Sequence, residues 1–333
     1  MLYVTTRSSR DAFTAARTLR DAPPGGGQYV PFRLTPLPQG QIDSLMEQGF
    51  AKCCAEILNL FFSTKLTSMD VDFCVGKNLC KTHVMNHRIA VAELWHNQQR
   101  DFEWVVTRLF ARLQDSVSAF QSPGEWVQLS VRIAALFGAF SELHRSAVLE
   151  PGQTIDIAVD ADDFSQAIAA WYARYMGLPV GKILFACSAF TGFWDLLNYG
   201  QMRADHVPAG LERLICLTLG YDEAARFAQV DASGRPYTLR PDQTELLRKG
   251  LFAAVVGPQR IGSIIASVYR TNDYLLEPSS ALAYGGIQDF RAQSGEVRPT
   301  LILAERNPAV CADAAAQAMG ISPAQFKKQF HLD

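Results

Sequence analysis

The sequence has no surplus charge of either sign. Lys plus Arg number 31 against 33 for Asp plus Glu, a formal net charge of -2. Without a basic field to attract a phosphate backbone or an anionic lipid surface, nucleic acid and membranes are excluded as expected partners. Long hydrophobic runs are also missing: no apolar stretch approaches the ~18 residues that a bilayer span needs. Met1 to Arg7 lacks the basic-then-apolar pattern of a secretory leader, so a cytoplasmic location is expected. Cysteine is sparse and odd in number, seven in all, and sits in apolar settings such as Phe185-Ala186-Cys187 and Leu214-Ile215-Cys216. That usage fits small buried hydrophobes in a reducing compartment and not a disulfide framework. Repeats and low-complexity segments are absent.

What the chain does have is 48% hydrophobic residues over 333 positions, enough to bury a large core as one large domain or two small ones. Leu2 to Thr5 reads as a strand and Asp11 to Leu19 as a helix, stopped by Pro23-Pro24-Gly25-Gly26-Gly27. Tyr29-Val30-Pro31 is extended, and Ile42 to Phe62 has one helical spacing of apolar residues. Between Ser63 and Asn86 the pattern loses its period. From Asp101 to Phe120 the residues Phe102, Val105, Val106, Leu109, Phe110, Leu113, Val117 and Phe120 form a helical stripe. Ser122-Pro123-Gly124 breaks it, and a second amphipathic helix runs through Leu129, Ile133, Leu136, Phe137, Phe140 and Leu143, making a helical hairpin.

The texture then becomes strand (Ile155 to Val159), helix (Phe164 to Met176, closed by Gly177) and strand (Ile183 to Cys187), the βαβ unit of a parallel sheet. Further helices are expected at Glu212 to Leu219, Pro241 to Lys249, Pro258 to Thr271, Pro278 to Arg291 and Pro308 to Met319. Strands are expected at Phe252 to Val256 and Thr300 to Ala304. The C-terminal half is therefore a doubly wound α/β arrangement.

Three colinear segments carry a family resemblance. Tyr3-Val4-Thr5-Thr6-Arg7 followed by Pro24-Gly25-Gly26-Gly27-Gln28-Tyr29-Val30-Pro31 is similar to the opening of threonine synthases, fold-type-II enzymes that use pyridoxal phosphate to convert phosphohomoserine to threonine. Ala173-Arg174-Tyr175-Met176-Gly177-Leu178-Pro179-Val180 resembles that family's Ala-Lys-x-Met-Gly-Leu-Pro-Ile. Tyr274-Leu275-Leu276-Glu277-Pro278-Ser279-Ser280-Ala281 resembles its Gly-Tyr-x-x-Asp/Glu-Pro-His-x-Ala. The resemblance implies a three-layer αβα fold with a mostly parallel twisted sheet.

The departures fall where the family does its chemistry. The family's lysine lies in a Leu-Phe-His-Gly-Pro-Thr-x-x-Phe-Lys-Asp segment, whose counterpart here, Glu93 to Trp104, contains His96 and places Glu103 at the lysine position. A carboxylate forms no imine with an aldehyde, so covalent anchor and general base go together. In the place of the family's Gly-Asn-Phe-Gly phosphate cradle this chain reads Asp160-Ala161-Asp162-Asp163-Phe164-Ser165, so three carboxylates would face the phosphate. Each close pairing of these carboxylates with a phosphate costs about 1 kcal/mol in water and about 4 kcal/mol in a partly buried site. The Thr-Ala-His-Pro turn, whose hydroxyl would meet the pyridine nitrogen, corresponds to Glu305-Arg306-Asn307-Pro308. The family's small domain, roughly a hundred residues in size, has only Trp104 to Gln128 in its place, so a helical hairpin is expected to replace it. The expected organisation is a threonine-synthase-like region over 1–100, the hairpin over 101–148 and an α/β region over 149–333, in one compact domain.

Other signals have ordinary explanations. Cys74, Cys80, His83 and His87 match no structural zinc spacing, and Cys53-Cys54 read as packing residues. His96 reads as a surface or capping residue. The Asp160 to Asp163 run reads as a cap on the following helix more readily than as a cation site. No cofactor and no metal are expected. Two functions from different classes remain. One is a non-catalytic protein that associates as a homodimer or with a partner protein, because loss of a domain exposes apolar surface. The other is a cofactor-independent enzyme or metabolite-binding protein with Glu103, Asp162, Asp163 and Glu305 as an acidic cleft lining. An active coenzyme-dependent lyase would need a substitute lysine from Lys65, Lys77 or Lys81.

Overall fold

The computed structural model describes residues 1–19, 22–77, 79–114, 124–161, 164–202 and 207–332, the His87 side chain excepted. In chain order the elements are β1 (Leu2–Thr5), β2 (Ser8–Thr14), α1 (Ala15–Thr18), β3 (Tyr29–Pro31), α2 (Gln39–Met46), α3 (Phe50–Phe62), α4 (Ser68–Val75), β4 (Lys81–Met85) and β5 (Ile89–Glu93). Next come α5 (Phe102–Leu113), α6 (Glu125–Arg145), β6 (Ile155–Asp160), α7 (Phe164–Tyr175), β7 (Val180–Cys187), α8 (Gly192–Tyr199), β8 (Gln201–Met202), α9 (Leu211–Leu219) and α10 (Tyr221–Ala232). The chain ends with β9 (Tyr237–Thr238), α11 (Pro241–Gly250), β10 (Leu251–Val255), α12 (Pro258–Asn272), α13 (Pro278–Ser294), β11 (Thr300–Ala304), α14 (Ala312–Met319) and α15 (Pro323–Gln329).

The central sheet has the order β10-β7-β6-β11-β5-β4, parallel throughout except for β4, which runs antiparallel to β5 at the edge. Helices cover both faces, so the inner strands are apolar on both sides, as a parallel sheet requires. Along β5, Ala90 and Ala92 join the core under α3, α5, α6 and α7, while Ile89 and Val91 join the core under α12, α13 and α14. The fold is thus the expected three-layer α/β architecture. A separate three-stranded sheet, β2-β1-β3, is built from the N-terminal residues.

Three expectations are corrected. The segment 11–19 is mainly strand: Phe13 and Thr14 pair with Tyr3 and Leu2, and only Ala15–Thr18 is helical. Cross-strand pairing with β1 overrides the local helical spacing. The single helix expected over 42–62 is two, because Gly49 adopts φ +80° between α2 and α3, a conformation that breaks a helix. The stretch without a period contains α4, fixed by a Thr67–Asp70 capping box, and β4. The C-terminal part of the helix expected over 101–120, from 115 on, lies outside the described residues.

Asp101 caps α5, its side chain accepting from the Trp104 N–H at 3.0 Å. Asp101→Ala is expected to lower stability by about 1 kcal/mol, read as a shift of the urea midpoint, while Asp101→Asn stays close to the parent.

Candidate functional site

In an open α/β sheet the chemistry gathers at the carboxyl ends of the strands, where neighbouring connections run in opposite directions. Here β11 is inserted between β5 and β6, so the relevant rim comprises the ends of β5, β11 and β6 and the starts of α5 and α7. The sequence-predicted residues Glu103, Asp160, Glu305 and Asn307 all lie on this rim or on the turns leaving it.

Glu103 is exposed on the first turn of α5 and makes no hydrogen bond or ion pair to a described residue. Its charge complements the positive end of the helix. One residue earlier, the Phe102 N–H donates to the Glu305 carbonyl at 3.0 Å, which ties the start of α5 to the turn after β11. The Glu305 carboxylate is not a bare acid. Arg132, on α6, grips it with two parallel bonds, Nε to Oε1 and Nη2 to Oε2, both 2.9 Å, with side chains only 13% and 14% exposed. The guanidinium lies 5.2 Å from the centre of the buried Phe102 ring. A planar fork on a carboxylate is the strongest ion-pair geometry that Arg offers. The cleft lining is therefore neutralised at Glu305 and not uniformly acidic as expected.

Asp160, the last residue of β6, accepts from the Ser279 hydroxyl at 2.7 Å. Ser279 follows Glu277 and Pro278 at the start of α13. Glu277 caps that helix, accepting the Ser279 and Ser280 N–H groups at 2.8 and 2.7 Å. Burial pushes the Glu277 carboxyl above the ordinary carboxylate value, and the nearby Asp160 charge adds to the rise. Asp162 and Asp163 lie outside the described residues. Asn307 turns inward on its own chain, its side-chain oxygen accepting the Ala309 N–H at 2.9 Å.

His96 is not gathered with the others. A ring nitrogen sits 2.5 Å from the Val75 carbonyl at the end of α4, and the ring meets Trp104 edge-on at 6.5 Å. It fastens the β5–α5 connection to α4. Cys74 and Cys80 are buried, and among the described residues no three His, Cys, Asp or Glu side chains come together to hold a metal.

The resembling segments have framework roles. The Thr6 hydroxyl and the Arg7 guanidinium both bind Glu212 of α9, the latter at 2.9 Å. Gly27, at φ +80°, lets the return strand pass so close that a Cβ would stand 2.7 Å from the Thr6 hydroxyl oxygen. Gly177, at φ +114°, turns the chain between α7 and β7. The Tyr274 hydroxyl donates to the buried Glu93 at 3.0 Å, and His83 Nε2 lies 3.3 Å from the same oxygen.

Sequence reasoning missed Arg132. The available signal was its isolation: it is the only charged residue between Leu129 and Phe140 on an otherwise apolar helix, and a lone cation in such a place needs a buried partner.

No protein-family model matches the chain. Two curated proteins are similar over part of it: threonine synthase-like 1 of Mus musculus, 25% identical over 212 residues, and threonine synthase-like 1 of Macaca fascicularis, 22% identical over 200 residues. These matches cover 59% and 55% of this chain but only 28% and 26% of the relatives, so the chain spans about a quarter of their length. Solved threonine synthases share the fold. That of Brucella melitensis, determined with PLP bound, superposes with a TM-score of 0.79 at 17% identity over 99% of this chain and 94% of that one. That of yeast gives 0.76 at 14% identity over 98% and 93%, and that of Escherichia coli 0.70 at 15% over 100% and 95%. The chain thus has the threonine synthase fold and is similar in sequence to threonine synthase-like proteins.

Proposed function

We propose that this chain is a threonine synthase-like protein that has given up pyridoxal phosphate and catalysis and works by association, as a homodimer or with another protein. The observation that carries the reading is the pairing of Arg132 with Glu305 beside Glu103. The residues on the rim do not fit the coenzyme. Glu103 stands at the lysine position, and Glu305, at the position of the family's pyridine contact, is already bound to a protein cation. Asp160 brings negative charge toward the place of an anionic phosphate.

The lysines do not compensate. Lys81 lies on the edge strand opposite Glu93, and the Lys182 ammonium donates to the Arg248 carbonyl at 2.9 Å, next to the amino-terminal part of β7. Lys65 and Lys77 flank α4. On this reading α5 and α6 are what remains of the family's coenzyme-covering domain. In the described residues no helix is long and apolar enough to cross a membrane.

Incubation with pyridoxal phosphate is expected to leave the imine absorption band flat in the parent. It should stay flat in Glu103→Lys, because a restored amine still meets the paired Glu305 and the acids after β6. A strong band in the parent that borohydride reduces to a stable secondary amine, and that substitution of one lysine abolishes, would overturn the proposal. Light scattering is expected to give a mass above that of one chain, alone or with a partner.

A further inference from the structure

At the opposite end of the sheet from the rim, where β6 and β7 begin, a cavity of about 260 Å³ opens between α2, the last turn of α6 and the turn 149–153. Its floor is apolar and buried, made by Ile42 and Met46 of α2, Phe140 of α6 and Leu149. Water against such a floor finds few partners, and an apolar group that displaces it gains affinity. The mouth has the opposite character. Asp43 on α2, Glu47 just past its end and Glu150 on the turn after α6 are exposed carboxylates that line the same cavity. Asp43 accepts from the neutral Gln39 amide at 2.8 Å, and no Lys or Arg among the described residues pairs with any of the three. The Gln153 side chain accepts the Glu150 N–H at 3.1 Å and so holds the turn that carries Glu150.

The backbone adds to the negative potential. Both α6 and α7 end at the cavity, through His144 in the last turn of α6 and Gly177 just after α7, and a helix carries partial negative charge at its carboxyl end. No Lys or Arg lines the cavity, so a carboxylate or a phosphate would find no cation there and would face three like charges. The volume lies just below the ~300–1,000 Å³ usual for ligand pockets, which limits the occupant to a small molecule.

We propose that this cavity binds a small organic cation, an ammonium group on an apolar body with no carboxylate, the body resting on Ile42, Met46, Phe140 and Leu149 and the ammonium lying among Asp43, Glu47 and Glu150. Decarboxylated amines have this build. Amino acids do not, because each brings a carboxylate to a mouth that already holds three. The cavity lies at the other end of the strands from Glu103 and Glu305, so its ligand does not depend on the coenzyme question.

The test is calorimetric titration of the protein with phenethylammonium, 2-phenylethanol, phenylalanine and phenylacetate at low and at high salt. Saturable binding is expected for phenethylammonium, about tenfold weaker binding for the neutral alcohol, and none for phenylalanine or phenylacetate. Added salt should weaken the ammonium and leave the alcohol nearly unchanged, since only the former meets charges that salt screens. Asp43→Asn combined with Glu47→Gln keeps the shape of the mouth and should cut the phenethylammonium affinity about tenfold. The same loss of charge at exposed positions elsewhere, Glu245→Gln with Asp313→Asn, should leave it unchanged. The site is disproved by a lack of saturable phenethylammonium binding, by equal affinity for phenylacetate, or by an affinity that falls alike in both double variants or in neither.

Discussion

Arg132→Ala is expected to lower the free energy of unfolding by about 3 to 5 kcal/mol. The loss comes less from the attraction removed than from what stays behind: a mostly buried Glu305 carboxylate that has lost its forked cation. Removing the second charge should therefore restore much of the loss. Arg132→Met combined with Glu305→Leu is expected within about 1 kcal/mol of the parent, because a buried pair exchanged for apolar groups of similar volume is often neutral. Urea titrations of the two variants decide the matter. If Arg132→Ala were as stable as the parent, the pair would be solvated in solution and the cleft open.

Gly262→Ala should be comparably damaging, although it adds a single methyl group. A Cβ at this position of α12 would stand 2.0 Å from the Ala318 carbonyl oxygen and 2.9 Å from the Met319 Cα of α14. Both are backbone atoms, so no side-chain rotation can relieve the clash, and the two helices must separate. Overpacking usually costs about 1 to 3 kcal/mol, and a rigid backbone contact places this variant at or above the upper end. The expected result is a fall in melting temperature of several degrees with the far-ultraviolet spectrum preserved. Gly295→Ala, in open space at the end of α13, is strained only by its own φ of +71°, and serves as the smaller control.

Several elements after residue 150 were legible because they are buried on a definite face and begin or end near Gly or Pro, whereas α8, α10, α15 and the short strands β8 and β9 were not read, and the helix expected from Pro308 starts only at Ala312. β11 falls at Thr300–Ala304 and α7 starts at Phe164 as read. The strand β5 was not legible, since Ile89-Ala90-Val91-Ala92 is brief and lies beside a stretch without period. β2 was misread because its seven residues are mostly exposed, and only their pairing with β1 makes them a strand. In the candidate site, Glu103, Asp160 and Glu305 were singled out from the segments that depart from the family's motifs, and the structure places them on one rim. The partner of Glu305 could not, because Arg132 is 173 residues away, and no local pattern reports which side chain a distant helix lays across a turn.

The strand order also governs when this protein can exist at all. One of the sheet's two central positions belongs to β11, Thr300–Ala304, which lies between β5 and β6. A nascent chain on the ribosome carries β5 and β6 as neighbours-in-waiting with a gap between them until β11 has been made. Closing such a distant pairing is slow, and the half-built product leaves strand borders bare. A truncation that removes β11 should thus yield aggregate instead of a smaller folded protein, and synthesis of this chain should depend on chaperones that hold it until β11 emerges.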